Sequence, residues 1–238
     1  MRLVLLVVLT LSGCAGRGSF RPPELPELVA VVRPTAPLTA GELLLVPGER
    51  MIWDVQAKGF SIARAELMVG DQQVTSRVET GVLASTITSL RHELATTIDV
   101  ENARTATAHE TLVLEGKTTV IDAVFDAKSY MIDGKPVVSV PGVHTIHSAL
   151  GLLRAWVSQD AKAGVLPILV AGQLYRLEVA QPNLTELSGT SMFRVDCRIA
   201  GLGSVSIWFA ITDDHVPARI EITTTEGKLT AELIERTR

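Results

Sequence analysis

The chain has 238 residues, with 22 Lys and Arg against 26 Asp and Glu and a formal net charge of −4. Its basic residues are scattered, which excludes the basic face that nucleic-acid binding needs to displace counterions. Only two cysteines are present, so the body must be held by its core and not by a disulfide framework.

The first element is a short apolar run. Arg2 supplies a positive start, Leu3 to Leu11 is almost wholly aliphatic, and Ser12 and Gly13 lead into Cys14. A bilayer core needs about 20 apolar residues, so the run reads as a secretory signal to be removed. Ending on Cys14, it resembles a bacterial lipoprotein signal, in which a diacylglyceryl thioether forms on the cysteine and cleavage leaves that residue first. The alternative is an ordinary signal with an incidental cysteine. Each buried methylene contributes about 0.8 kcal/mol, so two or three acyl chains hold a protein on a membrane almost irreversibly. Ala15 is not the aspartate that retains many such proteins in the inner membrane, which points to the outer membrane with the body facing the periplasm. Loss of residues 1–13 leaves 238 − 13 = 225 residues, and loss of Arg2 takes the charge to −5.

Residues 14–40 form a distinct segment. Six of the eleven prolines (Pro22, Pro23, Pro26, Pro34, Pro37 and Pro47) fall within residues 15–47. Proline removes backbone donors, and a Pro-rich tether extends about 3.1 Å per residue. The folded domain is placed at 41–238, with Leu43 to Val46 as a further edge strand.

From residue 48 the signal is period two. Strands are expected near 50–57, 62–69, 73–80, 94–100, 105–114, 118–126, 128–133, 173–180, 191–199, 205–211, 219–223 and 229–234. Val69-Gly70-Asp71, Asp133-Gly134-Lys135 and Glu226-Gly227-Lys228 mark turns. Many short strands with one polar face imply antiparallel sheet. Cys197 falls on the apolar side of the alternation through Phe193–Ile199 and reads as a small buried hydrophobe. Gly201-Leu202-Gly203-Ser204 precedes a strand and reads as a hairpin or bulge.

One segment is helical. Val143, Ile146, Ala149, Leu150, Leu153, Trp156 and Val157 recur at helical spacing. His144 or Thr145 caps the start, and Gly164 with Pro167 stops it. The fold class that follows is mainly β: a curved antiparallel sheet, an incomplete or half barrel, with one amphipathic helix packed on it. The helix's polar side carries Ser148 and Arg154. Arg154 either faces solvent or pairs with a buried acid or an anionic ligand.

Chemistry-bearing patterns are sparse. His144 and His147 lie three apart without a third ligand nearby, and His92-Glu93, His109-Glu110 and Asp213-Asp214-His215 fall on separate strands or turns, where they read as solvated polar residues. A zinc site needs three or four convergent ligands. There is no Gly-x-Ser-x-Gly elbow and no phosphate-cradling glycine loop. No catalytic residue, metal or cofactor is therefore assigned.

Three blocks nevertheless resemble a bacterial family known as domain of unknown function 3108. They are Gly48-Glu49 followed by a strand, Gly59, Ala63 and Ala65; His147-Ser148-Ala149-Leu150-Gly151-Leu152-Leu153-Arg154, then a strand pair ending at Tyr175–Val179; and Val205–Phe209, Asp213-Asp214, Val216-Pro217 and a last hairpin through Gly227 to Leu233. They run in order over about residues 45–236. Thr145 stands where the family leads one to expect an acid before Ser148. The resemblance implies an exported, strand-rich domain of unestablished activity. Ser148, Arg154 and Trp208, which lie within these blocks, are the candidates for a ligand or structural site.

By architectural analogy with lipoprotein carriers, a curved sheet wrapping a helix encloses an apolar cavity. The expectation is a non-enzymatic envelope lipoprotein that meets the membrane through its anchor and binds an apolar or amphipathic envelope ligand. The alternative is a structural module with a fully packed core, whose partners are envelope proteins.

Overall fold

In the computed structural model, residues 36–38, 42–86, 88–126, 129–137, 140–159, 161–212 and 214–238 are described. The signal segment, Cys14, most of the Pro-rich segment and Asp213 lie outside them.

Alternation of apolar and polar residues produces fifteen strands among the described residues. The first eight are β1 (Arg50–Ala57), β2 (Phe60–Val69), β3 (Gln73–Thr80), β4 (Leu90–Asp99), β5 (Arg104–Leu114), β6 (Lys117–Phe125), β7 (Tyr130–Ile132) and β8 (Lys135–Pro136). After the central helix come β9 (Gly164–Val170), β10 (Gln173–Val179), β11 (Asn183–Leu187), β12 (Thr190–Ile199), β13 (Gly203–Ala210), β14 (Pro217–Thr224) and β15 (Gly227–Thr237). Two helices are present among the described residues: a single turn, α1 (Val82–Ser85), and α2 (Ile146–Trp156).

The strands form one sheet in the order β8-β7-β6-β5-β4-β3-β2-β1-β15-β14-β13-β12-β10-β9, with β11 beside β12. The paired strands are antiparallel, and β1 with β15 joins the two halves over eight residue pairs. The sheet curls without closing. The β9 end is tied to the segment before α2 by the isolated bridge between His144 and Ile168, and to β5 by the β9–β10 turn.

α2 lies in the concavity. Nine of its eleven residues are buried, polar ones included, so it behaves as a core helix and not as an amphipathic one with a wet face. Leu152, Leu153 and Trp156 pack with Leu166, Ile168, Val170, Leu177, Val179, Val195, Ile207 and Phe209. Cys197 is in the same cluster at 3% exposure, on the side its alternation indicates. Thr145 caps the helix: its side chain accepts from Ser148 N, and Ser148 answers from N3 in a capping box. Thr145 thus has a structural role as the helix cap.

Four expectations change. Leu43 to Val46 is not a strand but an extended strap across α2, with Leu44 N donating to Gly151 O at 2.9 Å. A Cβ on Gly151 would lie 2.9 Å from Leu45 Cγ, which is why the crossing point is a glycine. The helix ends at Trp156, and Gly164 and Pro167 belong to β9; proline is tolerated there because β9 is the last strand of the sheet. Leu38 is buried in the helix-side core against Gly164, so the packed body includes residues ahead of position 41. Finally, where helix and sheet were expected to enclose an apolar cavity, Leu152, Leu153 and Trp156 of α2 pack directly on the sheet. Two clefts of ≈ 450 and ≈ 390 Å³ open to the surface elsewhere, one beside Val157, Leu184 and Phe193, the other beside Pro141, Pro167 and Tyr175.

Candidate functional site

Two buried polar clusters are strung along α2, one at each end. At the C-terminal end, Arg154 is fully buried, so its face of the helix does not meet solvent. Its guanidinium grips Glu49 in a bidentate pair, Nη1 to Oε2 at 2.7 Å and Nη2 to Oε1 at 3.2 Å, while Nε donates to Asp214 O at 2.9 Å. Glu49 is also fully buried and accepts from Arg236 Nε at 2.9 Å. Arg236 in turn reaches Asp214 Oδ2 at 2.7 Å, and Arg238 joins the same oxygen. The hydrogen bond from Arg236 is the main cause holding the Asp214 carboxyl below its usual range.

The network ties the start of β1, the end of α2, the β13–β14 loop and the end of β15. Three of its residues come from the three blocks noted in the sequence: Glu49, Arg154 and Asp214. Of Arg154's sequence readings, the buried acid is the one realised, and that acid is Glu49. The signal for it was a lone glutamate between Gly48 and an apolar strand.

At the N-terminal end, the cluster is neutral. Ser148 Oγ lies 2.7 Å from Thr105 Oγ1 and 3.2 Å from His144 Nδ1, and accepts from Thr145 N at 3.0 Å. His147 places Nδ1 2.9 Å from Thr96 Oγ1 and Nε2 2.8 Å from Ser76 Oγ. All of these except Ser76 are buried. Burial holds His144 down to about 4, and burial, with a contribution from His92, holds His147 down to about 3. Both imidazoles are neutral at pH 7 and act as hydrogen-bonding core residues, not as solvated ones. Ser148 and His144 make a serine–imidazole contact, with Ser148 at 0% exposure.

Trp208 belongs to neither cluster. Ile207 and Phe209 face α2, so Trp208 projects from the opposite, outer side of β13. There it lies between its cross-strand neighbours, with Arg194 5.0 Å and Arg219 5.6 Å from its ring centroid. These cation–π contacts cover it to 7% exposure. The outer face continues as ion pairs, including Arg50–Glu66, Arg77–Glu93 and Arg219–Glu232. Ser148, Arg154 and Trp208 therefore occupy three separate environments.

A second buried carboxylate corrects the sequence reading of His109-Glu110 as solvated: Glu110 is 8% exposed. Glu110 of β5 projects into the concavity, pairs with His92 Nε2 at 2.7 Å through Oε1, and accepts from Ala171 N at 2.9 Å through Oε2. Among the described residues, no three His, Cys, Asp or Glu side chains converge as a metal site. No described helix is long and apolar enough to cross a membrane.

No family model and no curated protein matches the chain. Among solved structures, it is similar to a β-barrel-like protein of the domain of unknown function DUF1849 from Brucella abortus. That match has a TM-score of 0.59 and 10% identity, over 82% of this chain and 98% of the other. A DUF1089 family protein from Pseudomonas aeruginosa matches with a TM-score of 0.44 and 10% identity, over 68% and 90% of the respective chains. At such identity the first likeness speaks to fold alone: the chain has a mainly antiparallel, unclosed, β-barrel-like fold with one central helix.

Proposed function

We propose that the protein is a non-catalytic binding module of the bacterial envelope, held to the outer membrane by lipid on Cys14 and facing the periplasm. The sequence resemblance to domain of unknown function 3108 supports this reading, as does the lipoprotein-like signal. The observation that carries the non-catalytic part is the state of the polar residues. Ser148, His144, His147, Glu49 and Arg154 are all buried and satisfied by hydrogen bonds within the fold, which leaves none of these five facing an open cleft. The ion pairs on the outer face support a sheet that meets water, since a lipid-facing barrel wall carries an apolar band.

Between the two binding readings, the direct packing of α2 on the sheet favours an interaction module whose partners meet its surface. The carrier reading is kept by a specific feature, the loosely tied β9–β10 hairpin described below. The test is in-cell crosslinking of the intact lipoprotein, combined with native mass spectrometry of the purified protein. Crosslinks to envelope proteins with no co-purifying lipid support the interaction module, and bound acyl lipid supports the carrier. A protein that washes freely from membranes in high salt overturns the anchored reading.

A further inference from the structure

Most neighbouring strands of the sheet pair along most of their length. The β9–β10 hairpin does not. β10 meets β12 through only three residue pairs, Leu177–Ile199, Glu178–Arg198 and Val179–Cys197, because β12 ends at Ile199 and Gln173–Arg176 run past it; β11 pairs the other end of β12. On its other edge, β9 has two isolated bridges, Pro37 with Val165 and His144 with Ile168, held by four backbone hydrogen bonds: Leu38 N to Val165 O, Val165 N to Ala36 O, His144 N to Pro167 O and Leu169 N to His144 O.

The hairpin's inner residues Leu166, Ile168, Val170, Leu177 and Val179 lie over α2, against Leu152, Leu153 and Trp156. Its tip is a two-residue turn with positive φ at both positions, Ala171 at 51° and Gly172 at 69°. A non-glycine residue rarely adopts such a φ. The turn presents the Ala171 N–H to Glu110 Oε2 at 2.9 Å, and Gly172 sits against Ile121 of β6. Glu110 is itself held by His92. A hydrogen bond to a buried carboxylate is charge-assisted and stronger than its neutral counterparts.

We infer that β9–β10 is a flap over the central helix, hinged on its three-pair ladder with β12 and latched at its tip by Glu110 and along β9 by the short bridges to residues 36–38 and His144. With the latch closed, the hairpin's five apolar side chains cover Leu152, Leu153 and Trp156 of α2. Release lifts five apolar side chains off α2 and opens the interior at the gap between the two ends of the sheet. The inference rests on the binding-module reading only for what enters; the motion itself does not depend on it.

Hydrogen exchange on the mature protein tests the flap. In Glu110→Ala, the amides of Val165, Leu169, Ala171 and the β10–β12 ladder exchange faster by roughly ten- to a hundred-fold, the worth of one hydrogen bond to a charged group. Amides of β1, β2 and β15 keep their rates. Glu110→Gln retains an acceptor for Ala171 N–H but loses the charge, and its hairpin exchange falls between wild type and Glu110→Ala. Should Glu110→Ala fail to fold, Ile121→Ala, which thins the contact under Gly172, still accelerates exchange in the hairpin alone. Uniform acceleration over all strands, or no local change in either variant, overturns the flap. Uptake of a fluorescent fatty acid is measured on the same samples. Uptake that rises with hairpin exchange supports a carrier, whereas an opened flap with no uptake leaves the flap standing and removes the carrier reading.

Discussion

Replacing Arg154 by methionine is the sharpest probe of how this fold is held. The guanidinium makes two bonds to Glu49 and one to the Asp214 carbonyl, with both partners of the ion pair at about 1% or less side-chain exposure. A methionine side chain at this position keeps much of the packing volume but leaves a buried carboxylate short of a cation. Breaking one side of a buried pair costs about 3–5 kcal/mol. Arg236 stays on Glu49 Oε1, which places the expectation at the lower end, about 3 kcal/mol. For a domain of this size, each kcal/mol moves Tm by about 2–4 °C, so the loss is about 6–12 °C. Urea unfolding by tryptophan fluorescence reads the same loss as a lower midpoint at unchanged slope. Glu49→Leu alone is also costly, since it leaves Arg154 buried without its acid. The double variant costs less than the sum of the two by about 2–3 kcal/mol, because the removed groups were each other's partners. An Arg154→Met loss below about 1 kcal/mol, or strictly additive single effects, would refute the view that a desolvated pair ties the start of β1 to the end of α2.

Acid should unfold the protein through its buried imidazoles. His144 titrates near 4 and His147 near 3 in the fold, against 6.5 for the free side chain, so the unfolded chain takes up protons first. Their contribution is complete above pH 6.5 and is lost as pH falls toward 4 for His144, by about 3 kcal/mol, and toward 3 for His147; His147→Gln should flatten that acid limb in chemical denaturation, and an unchanged limb refutes the assignment. Cys14→Ser should abolish incorporation of labelled palmitate and leave an uncleaved precursor or a soluble form, whereas Cys197→Ala should stay on the membrane and lose about 1 kcal/mol. Burial pushes the Cys197 thiol up to about 12, so maleimide should label it only after denaturation. Gly151→Leu should displace the 43–45 strap and cost about 1–3 kcal/mol by overpacking, and a neutral result in thermal melts would show that the strap does not pack on the helix.

What the sequence determined by itself was local. Period-two runs with Gly-containing turns placed most of the strands within a few residues, because alternation is set by the pleat and a hairpin by its turn residues. The central helix was legible from its apolar spacing, and the structure decided its cap for Thr145 over His144. The strand through Gly164 and Pro167 was hidden because both residues also stop helices, and β11 was hidden because Asn183–Leu187 is short and mostly exposed. Side-chain partnership was not local, and only the tertiary structure decided it. Arg154 meets Glu49, 105 positions away, and Ser148 meets Thr105, 43 positions away. The segment from His144 to Arg154 carries a serine, two histidines and an arginine, and whether such residues are wet or buried depends on whether the sheet curls far enough to cover them. Trp208 shows the converse: its place on a strand was readable, but the side of the sheet it faced was fixed by the register of β12, β13 and β14. α2 packs directly on the sheet for the same reason. The sequence specifies a sheet and a helix that fit together, and the distance between them is set by how their side chains interlock.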